Sequence, residues 1–351
     1  MKKVCWIANT RTEADGYAYA ARKLMEGLSL QGVDVRPPEG FDLFTTHTES
    51  SVNITLEKGF YTNHILTHDP EIVVNNCLPT EYQNKGKYKI GFSYWETDTL
   101  PTSWIPKIQA MDEIWTTSSW AKTVFDQYHD NVHAFKLGID SDIFHINPEP
   151  PKTSKFTFLH VGSPSKRKNS QTVVDAFIKA FGGNSDYHLI IKSNGPPDCR
   201  WIGEGVMFGP VSNHPQITVI DFVLSDKGLA DLYSSVHCLV YPTFGEGWGM
   251  IPFQSIAVGT PTICTNATAC TEFAEMSIPI KAQWTDEYTF GIYKGGRWAY
   301  PSIIDVCEAM KYAVDCYDSI KQKTVDSAAI IHKEYNWEKV AGEYKDRICQ
   351  I

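Results

Sequence analysis

The chain has 351 residues, of which 42% are hydrophobic, 21% charged and 13% aromatic, and its formal net charge is −9. That length exceeds what one hydrophobic core ordinarily serves, and the composition is globular, so two domains are expected. The acidic balance excludes a protein that embraces nucleic acid through an overall basic field, and no apolar run approaches the roughly 20 residues that span a bilayer.

In chain order, the opening MKKVCWIANT reads as a short strand and not as a signal peptide. KVCWIAN (3–9) is a buried strand. The following TEADGYAYAARKLMEGLSLQG carries Ala18, Ala21, Met25 and Leu28 at helical spacing, with Asp15-Gly16 where the helix begins and Gly32 where it ends. EIVVNN (71–76), KYKIGFSY (87–94) and DEIWTTS (112–118) are further strands, each followed by turn residues and a helical segment. INPEPPKTSK (146–155), rich in Pro and polar residues, is the best linker in the chain. A second alternation follows: strand FTFLHVG (156–162), a helix from Ser170 to Phe181, strands HLIIKS (188–193) and QITVIDF (216–222), a short helix KGLADLYSSV, strand HCLVYPT (237–243), and TPTICTN (260–266) as the last strong strand. Alternation of this kind implies α/β domains with parallel sheets and helices on both faces. The nine Cys form no CxxC pair and no Cys/His ligand spacing, so a reduced cytoplasmic protein with free thiols is expected.

In open parallel sheets, ligands sit beyond the carboxyl ends of the strands, which directs attention to two segments. GSPSKRKNSQTVVDAF places Lys166, Arg167 and Lys168 just before a helix, where the helix dipole and free N–H groups favour an anion. Cations there suit a diphosphate; the bland alternative is a solvated basic turn. YPTFGEGWGMIPFQSIAVGTPTICTN runs from a strand end at Thr243 through Gly245, Gly247 and Gly249 into a helix near Met250. Glycines let backbone approach a ligand closely. The Glu246 carboxylate can accept hydrogen bonds from vicinal hydroxyls, and Gln254 follows about two turns along the helix. Asp140-Ser141-Asp142 resembles a metal-binding DxD only superficially, and His160 and His237 lie within strand patterns, so no metal site is expected.

FGEGWGMIPFQSIAVGTPTICTN resembles the donor-site signature of glycosyltransferase family 4, retaining enzymes of the GT-B fold, whose EGFGLPxxEAMAxGTPV carries two acidic residues separated by seven. FLHVGSPSKRKNSQTVVDAF, LADLYSSVHCLVYPT, EIWTTSSWAKTVFDQY with KLGIDSDIFH, and YNWEKVAGEYKDRI are similar to other family segments in the same order. The resemblance covers nearly the whole chain and is weakest over 36–85. It implies two Rossmann-like domains with parallel sheets facing a central cleft. The first, 1–148, is on the acceptor side, and a C-terminal helix at about 334–351 packs back on it. The second, 154–330, binds the nucleotide sugar.

The same resemblance implies roles. Lys168 and Arg167 hold the donor diphosphate; Glu246 contacts the donor sugar; Gly247 and the backbone N–H groups around Trp248, Gly249 and Met250 meet the sugar and distal phosphate. Gly16 belongs to a Gly-rich loop that closes over the donor phosphate. Base contacts come from loops near Gly195 and from the strand end at Asp221, Phe222 and Val223. The chain departs from the pattern at three places. The second acidic position is Gln254, the residue after Gly162 is Ser163 and not Arg, and the usual acceptor-side His is replaced by Tyr94-Trp95-Glu96-Thr97-Asp98. A family sub-group has a similar "WEt..lP" segment, in which Glu96 orients an acceptor hydroxyl or is a structural carboxylate. The implied activity is metal-independent retaining transfer of a sugar from a nucleotide-diphosphate sugar, a UDP- or GDP-sugar, which is a substrate and not a cofactor. Nucleotide-sugar epimerases, sugar phosphorylases and non-catalytic sugar binders remain alternatives on this fold. The acceptor stays open, with a glycan first. A hydroxymethylated DNA base, as in a phage enzyme, is a minority reading, with Lys85, Lys87, Lys89 and Lys107 as the local phosphate patch.

Overall fold

Strand–helix alternation persists through both halves of the chain. The computed structural model describes residues 3–8, 16–36, 43–48, 51–56, 70–163, 165–193, 214–287 and 291–351, with backbone alone at 43–48 and 51–56. Its regular elements begin with β1 (Lys3–Ala8), α1 (Gly16–Leu30), β2 (Asp34–Arg36), β3 (Leu43–Thr48), β4 (Ser51–Leu56), β5 (Ile72–Asn76) and β6 (Tyr88–Phe92). They continue through α2 (Ile105–Gln109), β7 (Glu113–Thr116), α3 (Ser119–Phe125), β8 (Val132–Ala134), β9 (Phe156–Val161), α4 (Ser170–Phe181), β10 (Tyr187–Lys192) and β11 (Ile217–Ile220). Then come α5 (Asp226–Ser234), β12 (Cys238–Tyr241), α6 (Met250–Ala257), β13 (Thr262–Thr265), β14 (Ile278–Ile280), β15 (Gln283–Trp284), β16 (Ala299–Tyr300), α7 (Ile303–Asp315), α8 (Tyr317–Glu334) and α9 (Trp337–Gln350).

The described residues fall into two units. The first is drawn from Met1–Gly138, Thr289–Gly296 and Tyr335–Ile351, and the second from Ile139–Tyr288 and Arg297–Glu334. The Pro-rich stretch 146–155 lies inside the second unit.

In the first unit the strands run β2-β1-β5-β6-β7-β8 and every neighbouring pair is parallel. Parallel neighbours need helical crossovers, and these bury both sheet faces. One face carries Trp6, Phe92 and Trp115, packed edge to face and joined by Tyr344 of α9. The other core holds Tyr82, Trp95, Trp104, Ile114 and Phe125. α9 lies so close to α1 that a Cβ on Gly27 would stand 2.7 Å from Ala341 Cβ. A buried ion pair fixes the same helix to the sheet: Glu113 of β7, fully buried, accepts from Arg347 Nη2 at 2.7 Å and Nε at 2.9 Å.

In the second unit the order is β11-β10-β9-β12-β13-β14, again parallel throughout. Phe158, Leu189, Ile191, Val240 and Ile263 meet Val173, Val174, Phe177 and Phe181 of α4 and Val306 and Met310 of α7 in one core. Ile178 of the same α4 points away from this core and is 42% exposed. TPTICTN is not the last strand of the sheet: Ile278–Ile280 adds to β13 in parallel. Three residues with a central Pro279 are too short to show a period of two, and Pro is at home on such an edge strand.

Candidate functional site

Strand order locates the site. From β9 the chain moves outward to β10 and β11, then returns to the far side of β9 with β12. The connections after β9 and β12 therefore leave in opposite directions and open a crevice at the carboxyl ends of these neighbours. Residues 162–169 follow β9, and residues 242–249 follow β12. The two candidate segments thus lie side by side although 78 residues separate Lys168 from Glu246.

Backbone bonds lock the segments together. The Phe244 N–H donates to Arg167 O at 2.8 Å, and Asn169 Nδ2 donates to Pro242 O at 2.9 Å. Lys166–Lys168 forms a single tight 3-10 turn, closed by Asn169 in the left-handed region at φ 57°. Asn tolerates that region better than most residues. Gly162 is required by packing, since a Cβ there would come within 3.1 Å of Lys168 Cβ and 3.4 Å of His160 Nε2.

Four donors converge on one oxygen. Glu246 Oε1 accepts from Lys168 Nζ at 2.7 Å, Arg167 Nη1 at 2.8 Å, Tyr241 OH at 2.8 Å and Thr243 Oγ1 at 3.0 Å. Among the described residues every hydrogen bond to this carboxylate falls on Oε1. Lys168 also donates to Tyr241 OH at 2.6 Å, and Arg167 Nη1 to Gly245 O at 2.6 Å. Lys168 and Glu246 are buried. Burial alone would raise the Glu246 carboxyl, but the charges of Arg167 and Lys168, with hydrogen bonds from Lys168 and Tyr241, hold it down at about 2. Two cations against one carboxylate leave the cluster net positive.

Two partners in this network, Tyr241 and Thr268, were not singled out from the sequence, and His160 was read there only as part of a strand. Tyr241 ends an otherwise apolar strand, and burial followed by the Glu246 charge keeps its hydroxyl protonated, well above its ordinary range. Thr268, whose hydroxyl accepts from Glu246 N–H at 3.0 Å, holds φ at +54°. A positive φ is uncommon for a β-branched residue and often marks a functional site. His160 is fully buried beneath Lys168, with Nδ1 2.9 Å from Val240 O and Nε2 2.9 Å from Ser170 Oγ. A carbonyl can only accept, so Nδ1 carries the proton and Nε2 accepts from the serine. Burial and the Lys168 charge hold this imidazole at about 4, against the Val240 hydrogen bond that would raise it.

The other donor-side candidates are placed as follows. Gly249 caps α6 at φ +97°, where a side chain would be strained. Trp248 is 3% exposed and packs edge-on against Phe253 and Phe273, so its ring belongs to the core and its backbone to the loop. Gly247 lies in the same buried turn, and Met250 opens α6. Gln254 is 5% exposed, and its side-chain amide makes no hydrogen bond among the described residues. Ser163 is exposed at the mouth of the β9 connection. Phe222 and Val223, after β11, are 61% and 59% exposed, two large apolar side chains in water. Gly16 is the exposed first residue of α1, whereas the loop before it and the loop at Gly195 lie outside the described residues.

The acceptor-side candidates belong to the first unit. Trp95 does not offer its ring to a ligand: it is fully buried against Trp104, and its indole N–H donates to Thr99 O at 2.6 Å. Tyr94 is 7% exposed and packs on Tyr17 at 3.9 Å between centroids, with its backbone bonded both ways to the Tyr17 hydroxyl. Glu96 is half-buried and receives Tyr293 OH at 3.4 Å. Of the four lysines read as a phosphate patch, Lys85 and Lys87 precede β6, at the opposite end of that strand from Glu96, Lys89 pairs with Asp112 at 3.5 Å, and Lys107 donates to Tyr82 O at 3.1 Å. Among the described residues no group of His, Cys, Asp and Glu could hold a metal ion, and no helix is long and apolar enough to cross a membrane.

Residues 155–282 match the family model "Glycosyl transferases group 1". The match contains both halves of the Lys168–Glu246 network. Among curated relatives, a GDP-mannose-dependent alpha-(1-6)-phosphatidylinositol dimannoside mannosyltransferase of Mycobacterium tuberculosis is 24% identical over 169 residues, covering 46% of this chain and 42% of the relative. O-antigen chain mannosyltransferase B of Escherichia coli is 25% identical over 162 residues, covering 42% of this chain and 41% of the relative. The matched region spans less than half the length of these relatives. Among solved structures, sucrose-phosphate synthase of Thermosynechococcus elongatus superposes with a TM-score of 0.69 at 13% identity, covering 100% of this chain and 99% of that one. HepE of Anabaena, in complex with UDP and glucose, gives 0.68 at 8% identity with 100% of both chains covered. The fold is therefore GT-B, two Rossmann-like domains each with a parallel sheet.

Proposed function

We propose that the chain is a glycosyltransferase that takes its sugar from a nucleotide-diphosphate donor bound at the β9–β12 crevice. The observation that carries this reading is the buried Arg167–Lys168–Glu246 cluster, with its net positive charge and a carboxylate whose bonds all fall on one oxygen. The cations and the amino end of α4 face the leaving diphosphate, where charge develops as the sugar departs. Glu246 Oε2 is then the acceptor for a hydroxyl of the donor sugar, and the Gln254 amide, on α6 after the Gly-rich turn, is the partner for the ribose diol. The exposed Phe222 and Val223 give the nucleoside base an apolar face.

In the proposed reaction the C1–O bond to the diphosphate breaks as the incoming hydroxyl oxygen bonds C1. The hydroxyl proton passes to the departing phosphate oxygen, so attack and departure share one face of the sugar and configuration is retained. The same reading makes the chain a member of glycosyltransferase family 4 and the reaction metal-independent, since Arg167 and Lys168 supply the charge. It places the enzyme in the cytoplasm with its donor. The relatives make GDP-mannose and UDP-glucose the donors to try first, and a glycan is the acceptor class.

Calorimetric titration with GDP and UDP, followed by sugar release from GDP-mannose and UDP-glucose with and without EDTA, tests the proposal. One of the two nucleotides is expected to bind, and Lys168→Ala is expected to weaken it at least about tenfold, the loss of one charge-assisted contact. Equal binding by the wild type and Lys168→Ala would refute the placement of the diphosphate.

A further inference from the structure

Among the described residues, only Asn169 and Thr268 hold a positive φ without being glycine. Asparagine tolerates that region, whereas a β-branched side chain is strained in it. Strain of this kind persists only where the surroundings over-determine the conformation. At Thr268 those surroundings are on view. The chain leaves β13 at Thr265, whose hydroxyl donates to Thr243 O at 2.7 Å, and the Asn266 N–H bonds Ile280 O at 2.8 Å. Ala267 is extended, at φ −156° and ψ 163°, and Thr268 then turns the chain into a 3-10 run, Thr268–Met276. The corner is pinned by the Thr271 hydroxyl, which donates to Thr268 O at 2.7 Å.

Two bonds from this buried corner meet the main chain of Glu246. The Glu246 N–H donates to Thr268 Oγ1 at 3.0 Å, and the Ala269 N–H donates to Glu246 O at 3.2 Å. Glu246 is flanked by Gly245 and Gly247, which offer no side chain to anchor the turn. The donors on Oε1 orient the far end of the carboxylate, and the corner fixes the backbone from which it springs. The residue type is informative. Glycine would take φ +54° without steric cost, but it would leave the Glu246 N–H without its hydroxyl acceptor. The hydroxyl is what this position gains for the conformation it holds.

We infer that Thr268 is a positioning residue for Glu246, its hydroxyl fixing the backbone from which the carboxylate reaches the donor sugar. This rests on the glycosyltransferase reading above. The two cations are placed by other bonds, Arg167 through the Phe244 N–H to its carbonyl and Lys168 through the Tyr241 hydroxyl. Thr268 therefore acts on the hold of the sugar and leaves the hold of the diphosphate alone.

The experiment compares wild type, Thr268→Ser, Thr268→Val and Thr268→Gly by calorimetric titration with GDP, UDP, GDP-mannose and UDP-glucose, with urea midpoints in parallel. All three variants are expected to bind the free nucleotide within about twofold of wild type. Thr268→Val and Thr268→Gly are expected to bind the corresponding nucleotide sugar about tenfold more weakly, the scale of one hydrogen bond to a charged group. Thr268→Ser, which keeps the hydroxyl, is expected to restore that affinity to within about twofold. Thr268→Gly relieves the strain that Thr268→Val retains, so it is expected to unfold at higher urea than Thr268→Val and yet to lose the same sugar affinity. Should Thr268→Val fail to fold, Thr268→Gly carries the same comparison. Unchanged nucleotide-sugar affinity in Thr268→Gly overturns the inference, as does Thr268→Ser binding as weakly as Thr268→Gly, a loss shared equally by nucleotide and nucleotide sugar, or a loss that follows the urea midpoint. A wild type that binds a nucleotide but neither nucleotide sugar overturns the inference and leaves the diphosphate site standing. A wild type that binds no nucleotide overturns both readings.

Discussion

Glu246→Gln is the most informative single change, because the structure fixes its cost, its pH dependence and its effect on binding separately. A carboxyl held at about 2 in the fold, against an ordinary 4.5, corresponds to about 3 kcal/mol of stability at neutral pH. The substitution keeps the size of the side chain and removes the charge that neutralises Arg167 and Lys168. Breaking a buried ion pair from one side costs about 3–5 kcal/mol, which agrees with that figure. The sign in pH follows from the depressed value. The contribution of Glu246 is complete above about pH 4.5 and is lost as pH falls toward 2. The stability gap between wild type and Glu246→Gln, read from urea midpoints at pH 7, 5, 4 and 3, is therefore expected to be constant from 7 to 5 and to narrow below. Binding should move the other way. Removing a carboxylate from beside two cations cannot weaken their hold on a diphosphate, so GDP or UDP affinity is expected to stay level or rise while sugar release is lost. A gap unchanged down to pH 3, or a loss of nucleotide affinity like that of Lys168→Ala, would refute this account of the cluster.

Three further outcomes follow from other parts of the molecule. Arg347→Ala leaves Glu113 charged and fully buried, and is expected to cost about 3–5 kcal/mol in urea unfolding, whereas Arg347→Met with Glu113→Leu should recover most of that loss. His160 and His237 are both held at about 4, each mainly by burial, so their contribution is complete above about pH 6.5 and is lost as pH falls through 4. Wild-type stability is expected to decline across that window with uptake of up to two protons on unfolding, and His237→Asn should flatten the decline; a flat profile from pH 7 to 5 would contradict it. Gly249→Ala forces a Cβ at φ +97° to within 3.3 Å of Pro252, and is expected to lower stability by more than about 1 kcal/mol and to impair nucleotide binding together with it.

The fold was legible where periodicity and punctuation agreed. Ala18, Ala21, Met25 and Leu28 are all buried on α1, and Gly32 follows it at φ +83°. The apolar runs of β9, β10, β12 and β13 needed no alternation to be read, because strands covered on both faces are apolar throughout. What escaped was short or non-local. β14 has three residues, and β15 and β16 two each, so no period can be seen in them. The Glu113–Arg347 pair joins residues 234 apart, and neither residue type signals a buried partner in advance. At the site, Arg167, Lys168 and Glu246 were legible because a Gly-rich turn and a basic turn each followed a strand. Tyr241 carried a faint signal, a lone hydroxyl at the end of the apolar run CLVY. The burial of Trp95, named in the acceptor-side segment, could not be read in advance, because its partner Trp104 is brought to it by the fold.

Tyr241 also explains why the cluster can hold two cations at one carboxylate oxygen. Three charges taken out of water cost more than their mutual attraction returns unless the remaining donors and acceptors are filled. The phenol oxygen accepts from Lys168 and the phenol proton goes to Glu246, so a single group bridges the opposite charges on a fixed path. Thr243 can give its one proton to Arg167 O, Gly245 O or Glu246 Oε1, and it therefore tolerates movement of the carboxylate that Tyr241 resists. His160, neutral and bonded at both nitrogens, packs beneath Lys168 without adding a like charge. The result is a rigid side toward Lys168 and a yielding side toward the Gly245 turn. Under the proposed donor reading, a nucleotide sugar entering over the glycines would meet cations already oriented on the rigid side, and the adjustment it requires would fall on the loop, where the glycines and the Thr243 hydroxyl accommodate it at least cost.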